Sequence, residues 1–454
     1  MASAAATAAA RRRAAAAARA RVCAAVAAAR HARNPRAARG PRMRLVLCLA
    51  VANALNVVRA PPKTQTMGAV AAWHATRKNE ITRRLGRDAV AELEAPTPAR
   101  TLSCLAAVNV ANVYLASATP ALGGLWWLVV AATVGAWCSL AQFALLHDVV
   151  HGGADVGGAP GERRRFRERV LKYGSQPSVF GYWLYLALGH LNHHAATGDF
   201  TAKELFASSE LAFEDGDLFF ASHRQDSPGG GDDDPACISI ARASYRTLWN
   251  NGGSDLAALG NAAAYALSMS LERAALCGND KLVALTDSNR LFFPNKPPAF
   301  HEMCGSYARA AALAQCGVVV LAHGDLRALA YLLVAETAWQ VPPWPAASLF
   351  VSNHGVHDDG AGVGGAGPAD RPTYSVYGGG LFDALCFNAN YHCEHHDFPK
   401  VPLWRLPELR RRAGADFYPE SPPWTDVLDA AFRRRVTYPK WNREAVATSE
   451  LSLL

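Results

Sequence analysis

The sequence contains two copies of the pattern His-x-x-His-His, preceded by a looser His-x-x-x-His pair. In chain order the three boxes are His147 and His151; His190, His193 and His194; and His392, His395 and His396. On a helix, residues i, i+3 and i+4 share one face, so each triplet can point at one centre. Imidazole is a common ligand of iron, zinc and copper. A single histidine is more often packed or at the surface, but eight of 15 clustered in this way predict a metal site.

Four acids and one further histidine are candidates to complete the site. Carboxylates beside a metal-binding histidine fix its tautomer, and those near the boxes are Asp148, Asp199, Glu394 and Asp397. Each of them is also compatible with an ordinary solvated acid. His354 is a candidate ninth ligand, the alternative being a surface loop residue beside the Gly-rich stretch 360–367.

The residue types favour iron and oxygen chemistry over hydrolysis. About eight neutral imidazoles can hold two metal ions with open positions. Zinc hydrolases with an HExxH motif are excluded because the sequence has none. A nitrogen-rich pair of irons suits O2 activation and attack on an unactivated C–H bond. We expect no catalytic residue beyond the metal centre, and the ten scattered cysteines indicate no disulfide framework.

Composition and apolar runs indicate a membrane protein. Half of the residues are hydrophobic and the mean hydropathy is near zero, an average of apolar runs and very polar stretches. The formal charge of +8 is concentrated in basic runs, which in a membrane protein mark cytosolic loops more often than nucleic-acid contacts. The apolar runs are Leu102–Ala118, Leu125–Leu146, Ala310–Ala322 and Ala328–Ala335. They predict an all-α integral membrane protein with about four transmembrane helices in two hairpins.

The order of spans and boxes places all three boxes on one face. The first box follows the second span, and residues 179–188 suit a re-entrant or interfacial segment that delivers the second box to the same side. Two hairpins return the chain to the cytosol before the third box, so a cytosolic cap would carry the site. A lipid chain could then enter from the bilayer. A His-rich metal transporter is the competing class, but it would place its ligands near the midplane of its spans.

The remaining segments define the domain organisation. Residues 1–66 are an Ala/Arg-rich leader, or are translated from a start codon upstream of the true one at Met67, and targeting to an organelle by residues 1–58 stays open. Residues 67–100 are a cytosolic helical region and residues 101–440 the membrane domain. The membrane domain has a low-complexity insertion near 224–236 and a Gly-rich insertion at 358–370, and a tail follows at 441–454.

The chain resembles the sphingolipid Δ4-desaturase family of the membrane fatty acid desaturase superfamily. The resemblance covers roughly 73–440, apart from the two insertions, and is weak directly after the second box. All three boxes match, as does the extra His354. The segments that carry the resemblance are Trp73-His-Ala-Thr-Arg-Lys-Asn-Glu-Ile, Phe293-Pro-Asn-Lys-Pro, Thr373-Tyr-Ser-Val-Tyr-Gly and Asn390-Tyr-His-Cys-Glu-His-His-Asp-Phe-Pro-Lys-Val-Pro.

This resemblance implies two iron ions, O2 as co-substrate and electrons from cytochrome b5. It implies desaturation of the sphingoid base of dihydroceramide at C4–C5 to give ceramide, in the endoplasmic reticulum membrane. The sequence has no His-Pro-Gly-Gly motif, so cytochrome b5 and its reductase are expected as separate partners. A sphingolipid C4-hydroxylase, an enzyme with both activities, or an acyl-lipid desaturase are the alternatives. No nucleic-acid partner is expected.

Overall fold

A computed structural model describes the two regions that carry the first and third boxes. The described residues are 69–179, 182, 186, 190–191, 194, 298–340, 344–353, 356–357, 373–432 and 436–437. All of them belong to one compact unit, Met67–Leu454. The leader, both predicted insertions, the tail, and the side chains of His193, Asp199 and His354 lie outside the described residues.

The regular secondary structure of the described residues is almost entirely helical, as predicted. The helices are α1 (Ala69–Leu85), α2 (Arg87–Leu93), α3 (Pro98–Ser117), α4 (Trp126–His151), α5 (Pro160–Gly174), α6 (Pro298–Leu321), α7 (Arg327–Ala338), α8 (Pro345–Ser352), α9 (Gly380–Cys386), α10 (His392–Asp397), α11 (Leu406–Ala413) and α12 (Trp424–Phe432). Short 3-10 turns lie between these helices at Thr119–Ala121 and Leu403–Arg405. The sequence did not predict the two-residue strands Val356–His357 and Val436–Thr437, which pair antiparallel.

The four predicted apolar runs lie in α3, α4, α6 and α7, which pack together as a bundle. Of the helices described, only α4, with 26 residues, is long and apolar enough to cross a membrane by length and composition. Helix α7 has 12 residues, fewer than the roughly 20 that a span needs. The four-span topology therefore stays a prediction.

The surface of this bundle is apolar and part of its interior is polar. The outward-facing apolar side chains include Val110 and Tyr114 on α3, Trp126, Val129 and Val134 on α4, Leu313, Val320 and Leu321 on α6, and Leu333 on α7. Gln142 and Glu336, by contrast, are each 1% exposed. Soluble proteins rarely expose contiguous apolar surface on this scale. The pattern favours a hydrocarbon environment around the bundle.

Helix α4 contains a π-helical turn at Ala131–Gly135, where α7 packs against it most closely. Such turns leave backbone groups without their usual helical partners. The indole Nε1 of Trp344 donates a hydrogen bond to the Ala132 carbonyl at 3.2 Å. A Cβ added to Gly135 would lie 2.5 Å from the Tyr331 hydroxyl oxygen. Glycine is therefore needed here for the close approach of α7.

The N-terminal helices pack on the third box. Within the predicted helical region 67–100, Gly86, with a φ of +86°, separates α1 from α2. Helix α1 contacts α10 and α11. Its Trp73 and Ile81 are buried in one apolar cluster with Phe398 and Leu409. The cap that carries the third box is thus built partly from the N-terminal region.

Candidate metal centre

The first box occupies the last turn of α4. His147 and His151 lie one turn apart there, and the helix ends at Gly152, whose φ of +94° gives a left-handed C-cap. Arg167 of α5 secures this end. Its guanidinium donates to the Val150 carbonyl at 3.2 Å and pairs with Asp155, with Nε to Oδ1 at 2.8 Å. The box therefore sits at a helix end that a neighbouring helix holds in place.

The third box lies on α10, a helix of six residues. Asn390, just before it, donates to the Val376 carbonyl at 2.9 Å and to the Asp383 carboxylate at 2.8 Å. Beyond the helix, the Leu403 N–H donates to Asp148 Oδ1 at 3.2 Å, across 255 positions of sequence. This bond ties the first box to the segment that follows the third.

Five histidines from all three boxes converge. They are His147, His151, His190, His194 and His395, and one ring nitrogen from each lies within 4.8 Å of the corresponding atom of every other. Three Nε2–Nε2 distances are short: His151 to His190 is 2.8 Å, His190 to His194 is 3.0 Å and His194 to His395 is 3.0 Å. The structure thus brings together residues that the sequence keeps in three separate boxes.

Hydrogen bonding alone explains this convergence poorly. A neutral imidazole nitrogen carries either one hydrogen or one lone pair, yet Nε2 of His190 and of His194 each face two other nitrogens. Two nitrogens bound at a right angle to one metal ion, each ~2.1 Å from it, would lie ~3 Å apart. Burial and the surrounding imidazoles also hold the pKa of His395 well below its usual range, which keeps its lone pair available. The donor set therefore fits a metal ion.

His392 and His396 lie beside this group and are not part of it. Their rings are 4.4 Å apart, and the His396 ring is 4.2 Å from that of His194. The His392 ring is 6.3 Å from that of His395. The third box is thus divided between the five-histidine group and a neighbouring pair of rings. On a helix, i and i+4 differ by about 40° in direction, whereas i+3 and i+4 differ by about 100°, which accounts for this division.

Seven of the nine predicted ligands are thus placed, five in one group and two next to it. Their role as ligands stays a prediction, as do the roles of His193, His354 and Asp199.

The three described carboxylates, Asp148, Glu394 and Asp397, accept hydrogen bonds from groups other than the box imidazoles. Asp148 accepts from the Leu403 N–H. Glu394 is buried and accepts hydrogen bonds from the hydroxyls of Tyr377 and Ser375, each at 2.5 Å. Burial raises the pKa of Glu394 to about 7. These acids brace the helices that carry the boxes.

Asp397 is held by α1. Its carboxylate accepts from His74 Nδ1 at 2.7 Å, from Arg77 Nε at 3.1 Å and from the Tyr418 hydroxyl at 3.0 Å. Burial opposes ionisation of Asp397, but Arg77 and His74 lower its pKa below the usual range. Burial also disfavours the charged form of His74 and lowers its pKa, although Asp397 acts in the opposite direction. Asp397 is therefore an anion paired with Arg77 in the interior.

Sequence reasoning missed His74, Arg77, Ser375 and Tyr377 as residues of the site's surroundings. The signal was present, because all four lie in segments that carry the family resemblance, 73–81 and 373–378. Nothing local in those segments indicates that they meet at the third box.

Replacing Tyr377 by phenylalanine should destabilise the cap modestly. The change removes one of the two hydroxyl donors to buried Glu394, and a net hydrogen bond contributes about 0.5–1.5 kcal/mol. Thermal unfolding in detergent measures this. Tyr114→Phe is the matched control, since Tyr114 is 71% exposed on α3. Equal unfolding temperatures for the two variants would contradict the prediction.

Comparison with known proteins agrees with this geometry. Residues 221–427, which include the third box, match the family described as fatty acid desaturase. The chain is 40% identical over 103 residues to the sphingolipid delta(4)-desaturase DES1 of Drosophila melanogaster, covering 22% of this chain and 28% of the relative. It is 37% identical over 116 residues to the sphingolipid delta(4)-desaturase of Candida albicans, covering 22% and 30%. Over part of its length the chain is therefore similar to sphingolipid Δ4-desaturases.

Some of the similar proteins carry a second activity in their name. The chain is 32% identical over 129 residues to the bovine sphingolipid delta(4)-desaturase/C4-monooxygenase DES2, covering 28% of this chain and 35% of the relative. In all three comparisons the match spans about a third of the relative's length. These partial matches confirm the resemblance seen in the sequence.

Proposed function

We propose that this protein is a membrane-bound, O2-dependent oxidoreductase that desaturates the sphingoid base of dihydroceramide at C4–C5 to give ceramide. The observation that carries the proposal is the convergence of five histidines from three boxes in a chain whose relatives are named sphingolipid delta(4)-desaturases. Removing two hydrogens supplies two of the four electrons that reduce O2 to two waters. The other two must come from a separate donor, and we assign this role to cytochrome b5 and its reductase.

Two iron ions would supply O2 activation and C–H bond cleavage when bound. The residues of the chain that would hold them are the five converging histidines together with His392, His396, His193 and His354. The described ligand side chains are largely buried, with His395 4% exposed. Burial excludes water, which protects a reactive site from side reactions. The contacts of α4 and α10 described above hold the helices of the first and third boxes in place, so this part of the site is organised before substrate binds.

We further propose four membrane spans, α3, α4, α6 and α7, with the boxes on the cytosolic side of the endoplasmic reticulum membrane. The apolar outer surface of these helices supports this placement. Helix α5 directly follows the first box and exposes Arg164, Arg165 and Arg169. The positive-inside rule places such a segment in the cytosol. In this placement His147 and His151 lie at the end of α4, away from the midplane position that a metal transporter would require.

The second candidate activity is C4-hydroxylation, which the name of the bovine relative favours. Desaturation and hydroxylation both begin with hydrogen abstraction from the same region of the chain. They differ in whether a second hydrogen is removed or oxygen is added.

Expression of this protein in cells that lack Δ4-desaturation should produce sphingoid bases with a 4-ene. Mass spectrometry of hydrolysed sphingolipids measures this, with cells carrying the empty vector as control. Only 4-hydroxylated bases would support the second candidate. Unchanged sphingoid bases, with the protein present in the membrane fraction, would overturn both and direct the search to acyl-lipid substrates.

A further inference from the structure

We propose that His74 and Arg77 of α1 are positioning residues for the metal centre and act through Asp397. The proposal rests on the proposed function in that it requires a metal centre at the boxes. It assigns to the N-terminal helix a role in fixing where the third-box imidazoles lie.

Asp397 is the last residue of α10 and directly follows His396. It is 1% exposed, and both of its oxygens are engaged: Oδ1 by His74, and Oδ2 by Arg77 and Tyr418. A helix of six residues has little stability of its own. Its position therefore depends on such tertiary contacts, and the strongest of them is an ion pair to another helix.

His74 is a support and not a ligand. Its Nδ1 bonds to Asp397 at 2.7 Å and its Nε2 to the Thr373 hydroxyl at 2.8 Å. With the Nδ1 hydrogen donated to the carboxylate, the Nε2 lone pair accepts from Thr373, and no lone pair remains for a metal. The ring centroid nevertheless lies 5.0 Å from that of His396. His74 thus packs beside a predicted ligand and limits how that ring can turn.

The group formed by His74, Cys393 and Asp397, whose candidate atoms lie within 4.8 Å of one another, is not a further metal site. The Arg77 guanidinium already neutralises Asp397 there.

Arg77 joins three segments. Its guanidinium lies 4.5 Å from the Trp73 ring centre and 5.3 Å from that of Tyr418, and it donates to the Phe417 carbonyl at 2.8 Å. Both Arg77 and Asp397 are almost fully buried. Removing one partner of a buried pair leaves an uncompensated charge. Asp397 would then turn towards water or another donor and move α10 with its three histidines.

The test is metal binding by the purified full-length protein, after removal of bound metal, with Co²⁺ as the probe. We expect Arg77→Gln and Asp397→Asn to weaken Co²⁺ binding about 10–100-fold, the range typical of residues that orient ligands. His74→Gln should have an effect in the same direction. Arg77→Lys, which keeps the charge, should recover part of the loss. Arg84→Gln is the matched control, because Arg84 lies on the same helix in an exposed pair with Asp416.

The absorption bands of bound Co²⁺ report ligand geometry separately from stability. The inference is supported if the affinity falls and the bands change in variants that remain monodisperse, while Arg84→Gln matches the parent. It is overturned if Asp397→Asn and Arg77→Gln bind Co²⁺ like the parent, or if Arg84→Gln shows the same loss. Failure of the parent itself to bind Co²⁺ would instead overturn the metal centre of the proposed function.

Discussion

His395→Ala is expected to abolish desaturation and to lower the iron content of the purified protein. Nε2 of His395 lies 3.0 Å from that of His194, and the His395 ring centre is 4.3 Å from that of His147. This one side chain therefore connects the third box to the other two. Loss of a ligand at such a position should reduce turnover by more than about 100-fold, beyond the usual effect of a residue that only orients ligands. Elemental analysis and sphingoid-base mass spectrometry measure the two effects.

The control is His323→Asn, a histidine outside the boxes. His323 is exposed in the turn between α6 and α7 and has a φ of +54°, a conformation that asparagine tolerates well. This variant should retain full iron content and activity. Parent-like activity in His395→Ala would show that the converging histidines are not the metal centre.

Gly135→Ala is expected to destabilise the helix bundle by about 1–3 kcal/mol, the usual range for overpacking a close contact. The added Cβ would lie 2.5 Å from Tyr331 Oη, 2.8 Å from Tyr331 Cζ and 3.1 Å from the Ala335 Cβ. Helix α7 would have to move away from the π-helical turn of α4. Thermal unfolding in detergent should show a lower midpoint.

Two further variants separate this contact from a general effect of glycine. Gly317→Ala in α6 meets no atom within 4 Å, so its stability should be unchanged or raised, because alanine favours helices over glycine by about 1 kcal/mol. Tyr331→Phe removes the nearest atom and should relieve part of the cost in the double variant. Equal stability of Gly135→Ala and Gly317→Ala would contradict the close packing of α7 on α4.

The sequence predicted the parts of the site that depend on local spacing. His147 and His151 are four residues apart, and this alone places them on one helical face. The apolar runs predicted the helices of the bundle because hydrophobic residues must be placed against lipid or a core. Family resemblance then supported iron and O2 as the expected chemistry, since spacing alone does not distinguish iron from other metals.

The remaining features depend on contacts that no local pattern encodes. His74 and Asp397 are 323 positions apart, and no sequence pattern in either segment indicates the other as its partner. The division of the third box follows from the 100° step between His395 and His396. The expectation that residues i, i+3 and i+4 share one face does not take this step into account. The π-helical turn at Ala131–Gly135 depends on α7, because the fit against Tyr331 is a property of the pair of helices.

His194 and His395 are 201 residues apart along the chain, and this separation has a consequence for biosynthesis. A nascent chain that has emerged only as far as the second box holds too few imidazoles to complete the ion-binding group. Under the proposed function, the ion-binding group is complete only after the third box has been synthesised and docked. A chain that ends before residue 392 would lack His395 and with it one of the five converging imidazoles.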